Sequence, residues 1–529
     1  MVFHRDGVGI DATLERLGGL ADRVVVVVPP GCDWRPAAGT AIACVEMRDA
    51  HAAIEHEHLA IEPASWVLLL EAGEVVGETL AAEIREKVAA VEAIGFAAWR
   101  SIEFAGTRVR DPRCGRRVCR LAPASRIGAI ESPTLGGLAV DVRVQMLAHE
   151  VRHEGDPSLE ALLRRFNDET SKRSHHLAGG GTPSLVWAAA KLLAHLFGSL
   201  LAAGSANRRV RRLGAAYDLV TVLKRVDAAR GSKAFERLEP PRATSGPPLP
   251  VTVVVPIRNE ARNLSHCLPR LARFERVLVV DSGSDDESLE IARRFGAETV
   301  EFRWDGRFPK KRNWVLRSVP IESPWVLFLD ADEFVSEGFV EELSRVLPST
   351  SHAGFWLSFR SHFMGRLLRH GDRFSKLALI RRGAGEYERI DEERWSRLDM
   401  EVHEHPVLDG SEGRIRSPID HHDLKRLHAY LDRHNEYSSW EARRATRLAG
   451  DRAALDRLTG RQRAKYRHLT SPSLASAYFL ASYLLKGGWL DGAAGFGFAF
   501  LKWLYFSEIR LKILEARRAS TGPAPRMGE

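Results

Sequence analysis

The chain has 529 residues, 44% of them hydrophobic and 28% charged, which is enough for at least two hydrophobic cores. A formal net charge of +8 points to anionic partners, phosphates or an acidic lipid surface, while the scatter of basic residues without an aromatic-and-basic motif leaves no expectation of nucleic acid. The five cysteines (Cys32, Cys44, Cys114, Cys119, Cys267) are odd in number and not spaced as metal pairs, and residues 1–19 hold no apolar run before a small-residue cleavage site, so a cytoplasmic protein with reduced thiols is expected.

In chain order, Val24-Val-Val-Val-Val28 reads as a buried strand, and Trp66-Val-Leu-Leu-Leu-Glu-Ala-Gly-Glu74 as a strand and turn followed by a helix with Leu80, Ile84 and Val88 on one face. His149-Glu-Val-Arg-His153 has the spacing of a helical zinc-hydrolase motif, but Gly155-Asp-Pro157 stops any helix at once, and a metallopeptidase is not expected. After an apolar stretch at 185–203, the proline-rich segment 239–250 reads as a stiff linker. Beyond it, strands at 251–255, 276–280, 298–302 and 325–329 alternate with helical patterns at 264–271, 285–295 and 311–318. That alternation predicts an α/β fold with a mostly parallel sheet. Two further apolar stretches, 474–485 and 493–506, are shorter than the roughly 20 residues that span a bilayer and suit helices lying along an anionic membrane or packed internally.

The chain also repeats itself. Trp66 to Glu74 matches Trp325-Val-Leu-Phe-Leu-Asp-Ala-Asp-Glu333 at a constant offset, which also pairs Leu80, Ile84 and Val88 with Phe339, Leu343 and Leu347, and Gly95-Phe96 with Gly354-Phe355. Arg165-Phe-Asn-Asp-Glu169 resembles Arg433-His-Asn-Glu-Tyr437 further on. A tandem duplication follows: two α/β domains, each with apolar or amphipathic C-terminal helices, divided as 1–235, a linker at 236–250, 251–470, and a helical tail at 471–520.

The chemistry-bearing residues concentrate in the second copy. Asp330 and Asp332 follow an apolar strand, so the period of two places both carboxylates on one side at its C-terminal end, where open α/β sheets bind ligands. Hard oxygen donors there suit Mg2+ or Mn2+ bridging a diphosphate. Pro256, Asn259 and Glu260 follow the first strand, and Asp281 and Ser282 the second; these turns can hold a base and ribose, or simply cap helices through Asn259, Ser284 or Asp285. Lys311 and Arg312, with Arg307 and Lys310, can meet phosphate charge. His403, His405, His421 and His422 match no common zinc spacing.

Val251-Thr-Val-Val-Val-Pro-Ile-Arg-Asn-Glu260, Val279-Val-Asp-Ser-Gly-Ser284, Lys311-Arg-Asn-Trp314 and Leu329-Asp-Ala-Asp-Glu333 together resemble the successive motifs of family 2 glycosyltransferases with the GT-A fold. Val402-His-Glu404, His421-His422 and Gly488-Trp-Leu-Asp-Gly492 extend the resemblance toward bacterial lipopolysaccharide core β-glucosyltransferases, over about 249–514. The resemblance implies an inverting, metal-dependent hexosyltransferase that uses a nucleotide-sugar donor, a UDP-sugar, and a glycan or lipid-linked acceptor of the cell envelope. By it Asp281 contacts the base, and Asp330 and Asp332 hold metal and diphosphate. An inverting transfer needs a carboxylate base, for which Glu404 is the candidate and Asp391 and Asp399 the competitors. In the first copy Glu71-Ala-Gly73 replaces Asp330-Ala-Asp332, the first strand is expected to be missing, and Pro29 falls at the place of Asp281, so that copy reads as degenerate. The competing readings are a non-catalytic glycan-binding scaffold and a sugar-phosphate nucleotidyltransferase, although a glycine-rich phosphate loop is missing after Val255.

Overall fold

The computed structural model describes residues 1–3, 10–17, 20–28, 34–36, 42–46, 61–90, 94–104, 107–110, 118–130, 137–154, 158–176, 206–236, 238, 246–390, 398–400 and 405–521. The chain divides into two compact units, Met1–Arg225 with Arg510–Glu529, and Val226–Ile509. Each is a mixed α/β structure.

The second unit is built on one sheet whose strands lie in the order Glu298–Glu301, Phe274–Asp281, Leu249–Ile257, Trp325–Phe328, Phe374–Arg381, Gly354–Phe363, Glu412–His422 and Glu333–Phe334, with Arg366–Leu367 paired to Gly354–Phe363. Leu249–Ile257 is buried on both faces, as its valine run requires of a central parallel strand. Val253, Val255, Leu327, Phe339 and Leu343 form the core on one side and Val254, Leu278, Val280, Val315 and Phe328 on the other. The sheet is less parallel than the sequence predicts. The first four strands are mutually parallel, but Phe374–Arg381 pairs antiparallel with both neighbours. The β/α alternation ends with the helix Glu337–Val346, after which short connections return the chain antiparallel. Helices fall close to expectation at Ala261–Cys267, Ser288–Arg294 and Lys311–Ser318.

Of the two C-terminal apolar stretches, the first forms a helix at Leu474–Leu480 that continues as a π-helical turn, Ala481–Leu485. The second lies inside the helix Gly492–Thr521, and Phe496, Phe500, Leu504 and Ile509 are buried there, so this stretch is packed internally rather than laid on a surface. Among the described residues no helix is long and apolar enough to cross a membrane. The other stretch, 185–203, and most of the segment 239–250 lie outside the described residues.

In the first unit a first strand is present, contrary to expectation. Val2–Phe3 lies parallel between Val24–Val28 and Leu70–Glu71, with Val2 opposite both Val26 and Leu70. The amide of Leu70 donates to the Met1 carbonyl as that of Leu329 donates to the Val254 carbonyl. The shift matters for the turn that follows: Phe3 pairs with Val27 as Pro256 pairs with Val280, so Val28, not Pro29, stands in the register of Asp281. Further along, Arg100, Ser101 and Ile102 pair with Val151, Arg152 and His153, and Glu74 pairs with His153. In the second unit Phe359, Arg360 and Ser361 pair with Ile419, Asp420 and His421, and Glu333 with His421. His153 and His421 therefore both sit on strands. The His149–His153 motif is broken accordingly, since only Val151–His153 is regular and His149 turns to Glu83, 2.8 Å away. Among the described residues Cys119 and Cys267 are buried thiols whose Sγ atoms donate to the carbonyls of Leu121 and Glu333.

Candidate functional site

Three neighbouring parallel strands of the second unit end together. Ile257 pairs with Asp281, and Val254 with Phe328, so the turns carrying Asn259, Asp281 and Asp330 open at one edge of the sheet.

The first two turns are stitched to each other. Asn259, at φ 55, is in the left-handed conformation that asparagine tolerates better than most residues. Its amide donates to Ser284 Oγ at 2.9 Å, and its Oδ1 accepts from the Asp285 amide at 2.9 Å. Asp281 is 3% exposed and accepts from the amides of Gly283 and Ser284 at 3.1 Å and from Ser284 Oγ at 2.5 Å. Asn259 and Ser284 thus join two loops, and neither caps the helix that follows it. Pro256 is buried in its strand. Glu260 turns toward Lys425 and Asn263, and burial pushes its carboxyl up to about 7 against the pull of Lys425.

Lys311 and Arg312 open the helix Lys311–Ser318, and both are buried. Lys311 Nζ lies 3.1 Å from Asp399 Oδ2, and Ser282 Oγ donates to the same carboxylate. Burial lowers the Lys311 ammonium. Burial alone would raise Asp399, but Lys311 and Ser282 hold it below its ordinary value. Asp399 is therefore engaged with the second turn through Ser282 and with the start of the Lys311–Ser318 helix through Lys311. Asp391 and Glu404 lie outside the described residues.

The third turn gathers the acids. Asp330 Oδ1 is 3.0 Å from Arg312 and its Oδ2 2.9 Å from Lys376, which also reaches Glu333 Oε1 at 2.7 Å. Burial works against ionisation of Asp330, yet Lys376 and Arg312 hold it far below the carboxylate range; Glu333, fully enclosed, is pushed up to about 7. Asp332 Oδ2 stands 3.4 Å from His421 Nε2. Burial alone would lower the imidazole, but Asp332 outweighs it and lifts His421 to about 9, while His421 in turn keeps Asp332 below its usual value. On the opposite face of the same strand His422 is stacked between Phe334 and His362. The two histidines that the sequence groups together thus serve different faces.

Beside Asp330, which is spanned by two cations, Asp332 and His421 offer an oxygen and a nitrogen donor at a separation that fits two ligands of one ion; among the described residues His362, Asp420 and His422 form another group that could hold a metal. The mutual charge compensation of Asp332 and His421 fits the same role, because a proton on His421 occupies the position of a cation. Lys376, the pairing of His421 with Asp332 and the anchoring role of Asp399 escape sequence reasoning. A lysine inside the apolar strand Phe374–Arg381 was the available signal, since a charged residue there needs a partner.

A sequence model described as Glycosyl transferase family 2 matches residues 252–403. A curated protein from Rhizobium meliloti (strain 1021), described as lipopolysaccharide core biosynthesis glycosyltransferase LpsC, is 25% identical over 260 residues, covering 47% of this chain and 86% of that protein. Among solved structures, a mannosyltransferase from Pyrobaculum calidifontis in complex with GDP-Man and Mn2+ is 16% identical over 56% of this chain and 97% of its own, with a TM-score of 0.29. Glucosyl-3-phosphoglycerate synthase from Mycobacterium tuberculosis, in complex with Mn2+, UDP and glucosyl-3-phosphoglycerate, is 23% identical over 21% of this chain and less than half, 44%, of its own length, with a TM-score of 0.18.

Proposed function

Because the chain carries a family 2 glycosyltransferase domain that resembles lipopolysaccharide core biosynthesis enzymes, we propose that its second unit is a GT-A transferase that moves a sugar, with inversion, from a nucleoside diphosphate to a cell-envelope glycan or lipid-linked acceptor. The observation that carries this reading is the convergence of Asp281, Asp330 and Asp332 on one sheet edge, with Lys311, Arg312, Lys376 and His421 around them. Asp281 and Ser282, stiffened by Asn259 and Asp399, present the base and ribose side, for which a UDP-sugar is the proposed donor. Arg312 and Lys376 set Asp330 and give the diphosphate side a positive lining. Asp332 and His421 would hold the divalent ion, and this mixed donor pair suits Mn2+ better than Mg2+. When bound, such an ion supplies positive charge against the departing diphosphate. Glu404 is proposed to take the acceptor proton.

The first unit is read as a degenerate copy from a tandem duplication, with one domain at 1–235 that includes its own helical tail, a linker at 236–250, and a second domain at 251–470 followed by a helical tail at 471–520. The support is the matching strand register, position by position, together with Val28 at the place of Asp281 and Gly73 at that of Asp332.

The test is donor hydrolysis across nucleotide sugars, with and without Mn2+, on the wild type and Asp332→Ala. Hydrolysis of one donor class that requires Mn2+ and falls about 100-fold or more in the variant is expected; hydrolysis indifferent to both would remove the reading.

A further inference from the structure

Five of the eight large hydrophobic side chains left exposed among the described residues lie within eleven consecutive positions: Leu480, Leu484, Leu485, Trp489 and Leu490, with Leu485 84% exposed. They flank one sharp reversal. Gly487 adopts φ 73, and Gly488 packs so tightly that a Cβ there would meet the Ser482 carbonyl at 2.8 Å. The tip is fixed from beneath, because Phe479 stacks on Tyr483 and both meet the edge of Phe496 from the buried C-terminal helix.

A basic hairpin is clasped to this tip. The Gly371 amide donates to the Lys486 carbonyl at 3.0 Å, and Asp491 accepts from the amides of Arg369 and His370 at 3.2 and 2.9 Å. Asp372 is taken up by Tyr478 and Lys486. Both acids of the region are thus committed internally, while Arg366, Arg369 and Arg373 are exposed beside the apolar tip, Arg366 next to Gly492.

We propose that the reversal at residues 480–490 is a wedge that inserts into an anionic bilayer, with the three arginines on the lipid head groups. A rigid apolar tip rimmed by positive charge fits an interface that is apolar inside and negative outside. A second copy of this chain fits worse, since self-pairing through the tip would bring the arginines together. The proposal deepens the reading of this unit as a transferase for an envelope acceptor by naming the surface on which it works.

The test uses the full chain and cosedimentation with vesicles of phosphatidylcholine alone or mixed with phosphatidylglycerol. Binding to the mixed vesicles, weakening as salt rises, is expected. Leu485→Ser with Trp489→Ser should weaken binding at least about tenfold, and Arg366→Gln or Arg373→Gln about fivefold each. Donor hydrolysis in solution, unchanged in the serine double variant, shows that it is folded. Equal binding by that variant, no binding by the wild type, or a wild-type dimer that the serine changes dissociate with no effect on vesicles would overturn the proposal. Vesicle binding without donor hydrolysis by the wild type would instead keep the wedge and sink the transferase reading.

Discussion

The two units place an acid cluster at the same point of a similar strand register and differ in how far they enclose it. In the first unit Arg100 grips Glu71 at 2.6 Å, and Arg120 holds both oxygens of Glu74 at 2.6 and 3.0 Å, with all four side chains 0–7% exposed. In the second, Asp330 and Asp332 keep 36% and 16% of their side-chain surface exposed. The guanidiniums come from positions that carry no charge in the other unit. Leu121 pairs with Leu68 as Leu379 pairs with Leu327, so Arg120 stands where Ala378 does, and Arg100 stands where Phe359 does. At the place of Asp332 the first unit has Gly73, at φ 85, its amide donating to Thr13 Oγ1 at 3.0 Å. The first unit thus encloses its acids with two buried arginines, whereas the second pairs its acids with Arg312, Lys376 and His421 and leaves two of them partly exposed.

The sharpest way to break this contrast is to remove the proposed base from the open unit. Glu404→Gln should lower transfer by about 100- to 10,000-fold with donor binding retained, measured as transfer rate against nucleotide titration; full turnover would take Glu404 out of the mechanism. The sealed unit should respond in stability rather than rate. Glu74→Gln removes the carboxylate charge from the buried Arg120 guanidinium, and breaking a buried pair in this way costs about 3–5 kcal/mol, read as a lowered urea midpoint. Donor hydrolysis per folded molecule should not move. A loss of hydrolysis without a loss of stability would mean that the first unit takes part in the chemistry.

Much of this contrast is legible in the sequence because it is local. The strand before Asp330 announces itself by its apolar run, and the period of two then places Asp330 and Asp332; the same logic exposes Gly73 as a defect. What is hidden depends on strand pairing across long separations. Lys376 reaches Asp330 only because Phe374–Arg381 pairs with Trp325–Phe328, and Arg100 and Arg120 reach the first cluster for the same reason. The first strand of the sealed unit was missed because two residues show no periodicity, and only their place between Val24–Val28 and Leu70–Glu71 makes them a strand. Burial of the last helix likewise comes from its neighbours, since an all-round apolar stretch suits a core as well as a membrane.

Where the units agree, their responses should agree too, though the effect is smaller. Glu83, in the helix Glu78–Ala89, accepts from the amides of Ala148 and His149 at 2.7 and 3.0 Å. Glu342, in the helix Glu337–Val346, accepts from those of Arg416 and Ser417 at 2.9 and 2.7 Å. Glu83 ties its helix to the approach of the strand that carries His153, and Glu342 ties its helix to the middle of the strand that carries His421. Burial pushes both carboxyls up, but the backbone donors win and hold each below its ordinary value. A carboxyl lowered on folding adds stability above its unfolded pKa of about 4.3, and that contribution disappears as pH falls through the lower folded value. Glu83→Gln and Glu342→Gln should therefore each cost about 1–2 kcal/mol near neutral pH, after allowance for solvent screening, and the gap from wild type should close in acid. The His149 ring, 2.8 Å from Glu83, and the Ser417 side chain beside Glu342 add one side-chain partner to each, so the two costs should be similar. A cost confined to one unit would mean that the shared clamp bears weight in only one of them and would weaken the case for a common origin.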